Sequence, residues 1–430
     1  VSGGINFIVT GEASGEGEII GSNSDTLSVG GTLDVNDASL GYIFLNGTTK
    51  QTISNPNTFT NLELDNSNGA DFSGNVIVSD SLKLINGTMF LPNGANLIAN
   101  SKLYGTGTIR MQRRISGSIG WRMISSPLNT TYGDLLDGTV TQGYSGAFYS
   151  TGSNPGDTLQ PNVLTYLESY VTNVDGRPAT NNDRYRAPTS SAQSVNQGQG
   201  IFVFVFGNIV ADPLYGNALP DTLDASGQEW NGDDTEVDFG ITYTVAADSG
   251  WNLVGNPYAA TIDWDDTPNW TKTNVESTIY IWDPASNGGD GEYLTWNGVT
   301  GTLPNSGLIA PFQGFWVKAN GNSPLLKVSK NAKTTGGTFI RKMVGKPVAG
   351  NEEMDSTKTK STGNQSPIIS LGVVSDIGRS KRTNLIFTEQ ASIGKDNLDA
   401  YRLLPMSASH LELHTLLESG TELAINNLPS

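Results

Sequence analysis

Two ten-residue segments of this 430-residue sequence share the pattern Gly-Trp-x-aliphatic-aliphatic-small-polar-Pro. This repeated pattern constrains the fold more than any other feature. GWRMISSPLN spans residues 120–129 and GWNLVGNPYA spans residues 250–259. The later segments GQGIFVFV (198–205) and PFQGFWVKA (311–319) match each other in the same order. Because both order and spacing are kept, we predict that the middle of the chain contains two copies of one β-sandwich unit.

Each shared position suits a structural corner. A tryptophan brings a large surface to bury, a proline ends a strand because it cannot donate to the ladder, and a glycine lets backbones approach closely. A repeated active site would need a repeated general base, but the only two histidines are His410 and His414. We therefore predict structural anchors rather than catalytic residues at Trp121, Pro127, Trp251, Pro257, Gly200 and Gly314.

The first 113 residues alternate short aliphatic strands with Asn-Gly turns. Leu62 and Leu82 lie in equivalent strands 20 residues apart, and Leu27 and Leu33 begin the same pattern upstream. A coil of this size cannot bury its own leucines, so stacked coils forming a parallel β-solenoid are expected. A meandering β-sandwich is the alternative. The candidate acid/base residues of this segment are scattered, which argues against a catalytic groove: Asp65, Asp71, Asp80, Lys83 and Lys102.

Composition supports an all-β protein, because 51 glycines and only 16% charged residues suit short strands and turns better than long helices. The predicted fold is a short parallel β-solenoid, two repeated β-sandwich units and a partial C-terminal β-sandwich. The predicted domains are a solenoid-like segment at 1–113, sandwich repeats at 114–230 and 231–341, a linker at 342–367 and a partial β-rich domain at 368–430.

The formal charge of −17 argues against nucleic-acid binding and against docking on an anionic membrane. The sequence has no cysteine. It also has no window of about 20 apolar residues, so membrane insertion is not expected. The chain opens without a methionine or a signal peptide and closes just after a strand-like run. We expect it to be a mature or partial piece of a longer protein.

Several phrases resemble proteins that Bacteroidetes export by the type IX secretion system. The most specific matches are GWNLVGNPYAATIDW (250–264) and APFQGFWVKA (310–319). The solenoid phrase TFTNLELDN is similar to their short β-helical stretches, and DNLDAYRLLP (396–405) and GTELAINNLP (420–429) resemble the β-rich domain that precedes the sorting domain. This resemblance implies contact with the type IX export machinery and an extracellular or outer-cell-surface location.

Acidic loops and tryptophans supply candidate ligand sites. Compact loops rich in oxygen donors suit a structural Ca²⁺, with solvated acidic turns as the alternative. The candidate metal donors are Asp283, Asn287, Asp290 and Glu292, and the loops 231–238 and 263–270 are also acidic. Trp264, Trp270 and Trp282 are candidate glycan contacts, with core packing as the alternative. His410 and His414 lie four residues apart, but the Leu411/Leu413 alternation around them indicates a strand rather than a helical zinc site.

Four Asp-Ser/Thr-Leu triplets resemble the O-glycosylation signal of Bacteroidetes surface proteins, although Asp-Thr pairs are also common in turns. The candidate acceptors are Thr26, Ser81, Thr158 and Thr222.

From these features we predict a non-catalytic extracellular surface protein that acts as an adhesin, stalk, filament or matrix scaffold. The expected partners are extracellular glycans, a surface matrix or copies of the protein itself. The alternative is a carbohydrate-binding accessory region of a larger secreted polysaccharide-degrading enzyme. An enzyme in its own right is the third hypothesis, and it would require two carboxylates facing each other across a deep cleft.

Overall fold

The computed structural model shows an all-β protein, in which 52% of residues are in strands and 4% are helical. This confirms the predicted fold class. The structure describes residues 5–55, 58–100, 102–117, 119–149, 160–172, 182–206, 219, 221–229, 236–245, 250–286, 289, 291–340, 367–375, 380–403 and 413–430.

The first thirteen strands form a β-solenoid of about five turns. Odd-numbered strands from β1 to β11, together with β12, make one sheet, and even-numbered strands from β2 to β10, followed by β13, make the other. These strands are β1 (Asn6–Val9), β2 (Ala13–Ile20), β3 (Thr26–Val29), β4 (Leu33–Ser39), β5 (Tyr42–Leu45), β6 (Gln51–Asn55), β7 (Thr58–Asp65), β8 (Ala70–Phe72), β9 (Val76–Asn86), β10 (Thr88–Leu91), β11 (Leu97–Ala99), β12 (Lys102–Gly105) and β13 (Thr108–Ile115).

A ladder of aliphatic side chains runs through the solenoid. Leu27, Ile43, Leu62, Leu82 and Leu103 are successive partners in parallel strands, each one coil further along. The first four side chains are at most 1% exposed. The period of about 20 residues and the parallel stacking are as predicted, and they exclude the meandering sandwich because that arrangement would need antiparallel pairs.

In the part of the middle region that the structure describes, five smaller strands and one helical turn precede the second repeat. They are β14 (Gly120–Ser125), α1 (Tyr132–Leu135), β15 (Val163–Tyr166), β16 (Tyr185–Arg186), β17 (Gly200–Val205) and β18 (Asp221–Gly227). Thr131 caps α1 by accepting a hydrogen bond from the Asp134 backbone N–H. β18, which lies within the predicted range of the first repeat, pairs antiparallel with β13, the last strand of the solenoid.

Among the described residues, the second repeat has ten strands, which form three small sheets. They are β19 (Glu236–Asp238), β20 (Trp251–Gly255), β21 (Thr261–Asp263), β22 (Trp270–Thr273), β23 (Ile279–Asp283), β24 (Glu292–Trp296), β25 (Leu308–Ile309), β26 (Gly314–Lys318), β27 (Leu325–Ser329) and β28 (Lys333–Thr334). Short 3₁₀ turns lie at Asn182–Arg184, Thr267–Asn269 and Lys330–Ala332.

Both repeats contain the same four-stranded antiparallel sheet. The strand orders are β14-β17-β15-β16 and β20-β26-β23-β24, so the Gly-Trp strand pairs with the Gln-Gly strand in each copy. The inner faces of both sheets contribute to one shared cluster of aromatic and aliphatic side chains. The outer faces pack against two further cores.

The C-terminal part forms a five-stranded sheet in the order β29-β30-β33-β31, with β32 also on β33. The strands are β29 (Ile368–Val374), β30 (Ser380–Thr388), β31 (Ala400–Tyr401), β32 (Thr415–Leu416) and β33 (Glu422–Pro429). Ile386, Ala400 and Ile425 from this sheet join the cluster between the two repeat sheets. Of the predicted linker, residues 342–366 lie outside the described part of the chain.

Candidate functional site

The two Gln-Gly pairs lie against the Gly-Trp strand of the opposite repeat. A Cβ added at Gly200 would lie 2.5 Å from the Val254 carbonyl oxygen, and one at Gly314 would lie 2.7 Å from the Ile124 carbonyl oxygen. Ile124 and Val254 hold the same place in the two copies, and each forms an isolated antiparallel bridge to the glutamine of the other copy. We call this crossing the repeat junction; its contacts occur in equivalent pairs, as a twofold relation requires.

Backbone hydrogen bonds repeat the same relation. The Ser125 N–H donates to the Phe312 carbonyl (2.9 Å), and the Gly255 N–H donates to the Gly198 carbonyl (2.8 Å). The buried Ser125 hydroxyl lies 3.1 Å from the carbonyl oxygens of both Asn256 and Gln313. Ser125 therefore joins the two copies through its hydroxyl.

Aromatic rings fill the space between the two sheets. Phe202 and Trp316 occupy the same position in the two repeats, and their rings meet with centroids 5.8 Å apart. Trp121 contacts Phe202 at 6.1 Å and Trp251 contacts Trp316 at 6.3 Å, so the two anchor tryptophans make equivalent edge-on contacts. Both anchor tryptophans are half-buried, whereas the other predicted anchors are buried: Pro127, Pro257, Gly200 and Gly314.

The buried carboxylate of Glu168, in the first repeat, accepts hydrogen bonds from the second repeat. Its carboxylate accepts hydrogen bonds from the Thr242 hydroxyl (2.7 Å), the Thr244 N–H and hydroxyl (2.9 and 2.8 Å) and the Gly250 N–H (2.9 Å). Burial alone would raise the pKa of Glu168, but these bonds outweigh burial and hold it below the ordinary value. No motif or spacing in the sequence assigned a role to Glu168.

A buried ion pair makes a second connection. Lys333 Nζ lies 2.7 Å from Glu229 Oε2, with both side chains at most 3% exposed. Burial lowers the pKa of Lys333, while the Glu229 carboxylate opposes that change. The other Glu229 oxygen accepts from the Ala259 N–H (3.0 Å), and Lys333 Nζ lies 4.9 Å from the centre of the Tyr258 ring. The pair therefore joins the end of the first repeat to the last strand of the second.

Further polar contacts tie the outer parts of the molecule to the second repeat. On the solenoid side, Asn96 Oδ1 accepts from the Thr261 N–H (2.8 Å) and hydroxyl (3.0 Å). On the C-terminal side, Lys395 Nζ lies 3.3 Å from Glu276 Oε2, and the Tyr401 N–H donates to the Tyr280 hydroxyl (2.8 Å). Solenoid, repeats and C-terminal sheet are thus connected through buried or partly buried groups.

Two of the four predicted metal donors are described, and both have protein partners. Asp283 accepts from the Ala285 N–H (3.0 Å) and the Ser286 hydroxyl (2.7 Å), while Glu292 pairs with Lys381 (3.2 Å). Asn287 and Asp290 lie outside the described residues. Within the described ranges, no three His, Cys, Asp or Glu side chains are grouped so as to hold a metal ion. The structural Ca²⁺ stays a prediction.

The three tryptophans that we expected to contact glycans are buried in the protein core. Trp264, Trp270 and Trp282 are 1%, 8% and 4% exposed, so their ring faces are turned to protein rather than to a ligand. Trp264 instead packs under the Lys272 ammonium, which lies 3.4 Å from the ring centre, and donates from Nε1 to the Ser277 carbonyl (2.7 Å). Burial lowers the pKa of Lys272 to about 7, against the opposing effect of Asp265 and Asp263.

The candidate glycosylation acceptors lie within strands or outside the described residues. Ser81 is buried in β9 and donates to the Asn61 side chain, and Thr26 and Thr222 are half-buried in β3 and β18. Thr158 and His410 lie outside the described ranges, whereas His414 lies 3.5 Å from Glu422. Modification of these residues stays a prediction.

A cleft of about 250 Å³ lies beside β12 and β13, the last two strands of the solenoid. Tyr104 is 48% exposed beside it, and the Gln228 side-chain amide donates to the Gly105 carbonyl (3.2 Å) across it. The cleft is lined by Leu84, Leu103, Tyr104, Gly105, Gly107, Ile109, Gln228 and Glu229. The sequence analysis did not identify it.

Comparison with curated proteins and with solved structures found no match to this chain. One protein family does match, and its match runs without a break from the solenoid through both repeats to the C-terminal sheet. That family is described as a domain of unknown function, DUF8693, and because it matches residues 42–427 this chain belongs to it.

Proposed function

We propose that this chain is a non-catalytic scaffold or adhesin of the outer cell surface. The observation that carries the proposal is the set of buried connections across the molecule: Asn96 with Thr261, Glu229 with Lys333, and Glu168 with Gly250. Such buried contacts between regions suit a structural protein that has to keep its conformation under mechanical force. The buried carboxylates of Glu168 and Glu229 are engaged in joining separate elements of the chain.

Surface exposure tests this function. Antibody raised against the purified chain should label intact cells of the organism that encodes it, and a strain without the gene should adhere less to surfaces or to other cells. Label that appears only after permeabilisation would contradict the proposal. In the part of the chain described, no helix has both the length and the apolar character to cross a membrane.

A carbohydrate-binding accessory role is the second candidate, and the Tyr104 cleft favours it. An exposed tyrosine ring beside apolar walls and a side-chain amide suits one face of a sugar ring. Tyr104→Ala should then weaken binding on a glycan array, whereas Trp264→Ala should act only through stability. Equal binding by wild type and Tyr104→Ala would remove this candidate.

A further inference from the structure

The exposed strand β29 has the features of a self-association edge. β29 lies at the end of its sheet and, within the described residues, pairs with β30 alone. In an antiparallel ladder alternate backbone groups face one neighbour, so the remaining N–H and C=O groups of β29 face outward. Ile369, Leu371 and Val374 are 47%, 43% and 63% exposed along it. An open, apolar edge of this length is a template for another strand.

Charge distinguishes this edge from β2, which ends one of the solenoid sheets. At the start of the solenoid, β2 carries Glu16 and Glu18, and Glu12 lies just before it. A second copy placed there in antiparallel fashion would bring like charges together in a chain whose net charge is already −17. β29, with the sequence IISLGVV, has no charged residue, so it can meet its own copy without that penalty.

We propose that two copies of this chain form a symmetric dimer by antiparallel pairing of β29 with β29. In the register that uses all seven residues, Leu371 lies opposite Leu371 of the second copy, and Ile369 lies opposite Val373. The contact is isologous, so it closes at two copies and leaves both β29 strands fully paired. One pair of strands buries less than a standard interface, so the dimer should be weak and reversible.

This dimer goes beyond the surface role, because it depends on β29 and not on where the protein is located. Sedimentation velocity of the full chain should show a monomer–dimer equilibrium across a micromolar concentration series, with little dependence on salt. Leu371→Lys should weaken the dimer about tenfold or more, because two ammonium groups would meet at the axis. Ile393→Lys is the matched control, since Ile393 is 75% exposed in the same part of the chain but belongs to the loop between β30 and β31.

A second measurement does not depend on the lysine variant. The native chain has no cysteine, so a Leu371→Cys variant carries a single thiol that a short thiol-reactive cross-linker should join to its copy. Ile393→Cys should remain uncoupled under the same conditions. A wild-type protein that stays monomeric throughout the series would overturn the proposal, as would equal weakening by Leu371→Lys and Ile393→Lys.

Discussion

The solenoid and the repeat junction bury their contacts in opposite ways. In the solenoid each leucine meets partners one coil away, such as Leu62 with Leu82, through side chains. At the junction, Ser125 and Gln313 meet across 188 residues, and glycines bring the backbones together. After a substitution in the solenoid, neighbouring side chains can repack locally. At the junction the neighbouring atoms belong to the backbone, which cannot shift without moving a whole strand. The junction should therefore be the less tolerant region.

The largest effect should come from breaking the buried ion pair near the junction. Lys333→Met leaves the Glu229 carboxylate buried without its charge partner, which should cost about 3–5 kcal/mol of unfolding free energy. Urea denaturation followed by tryptophan fluorescence would measure it. The double variant Lys333→Met with Glu229→Leu should recover most of the loss, and a double variant as unstable as the single one would contradict this reason.

A methyl group at the crossing should act nearly as strongly. Gly200→Ala places a Cβ 2.5 Å from the Val254 carbonyl oxygen, and the resulting strain should cost about 3 kcal/mol. Gly74→Ala in the solenoid is the control, because no atom lies within 4 Å of its added Cβ. Similar urea midpoints for both variants would show that the junction is as tolerant as the solenoid.

A leucine of the ladder should cost somewhat less. Leu62→Ala removes a side chain that is 1% exposed, and we expect a loss of about 2–3 kcal/mol, toward the lower end for buried leucines, because neighbouring coils can close part of the cavity. Leu416→Ala, at a site 64% exposed, should change the urea midpoint little. A loss from Leu62→Ala that exceeds that of Gly200→Ala would reverse the comparison.

The smallest effect should depend on pH. The pKa of Glu168 is lower in the folded protein than in the unfolded chain, so its stabilising effect is present above the unfolded pKa and is lost as pH falls through the folded pKa. Glu168→Gln should cost about 1–2 kcal/mol at neutral pH and almost nothing in acid. Thermal unfolding across the acidic range would measure this, and a pH-independent cost would exclude the carboxylate as the cause.

The contrast also explains what the sequence could predict. The solenoid was predictable because its spacing repeats at every coil and each partner lies about 20 residues away. Repetition of the Gly-Trp pattern predicted two equivalent units. It did not predict that their sheets pack on each other, because a contact made by glycine has no side-chain pattern from which the contacting segment could be predicted. Glu168 and the Glu229–Lys333 pair were missed for a similar reason, since a single charge carries no periodicity. Trp264, Trp270 and Trp282 were open to two interpretations, and burial decided for the core.

The strand β18 has a consequence for synthesis. It closes the solenoid sheet from more than 100 residues further along the chain than its partner β13. At a synthesis rate of about 5–20 residues per second, the last coil waits roughly 5–20 seconds for the strand that covers it. Until residues 221–227 have been synthesised, the nascent chain exposes the unpaired edge of β13. During that interval, chaperones or other nascent chains can bind to this edge.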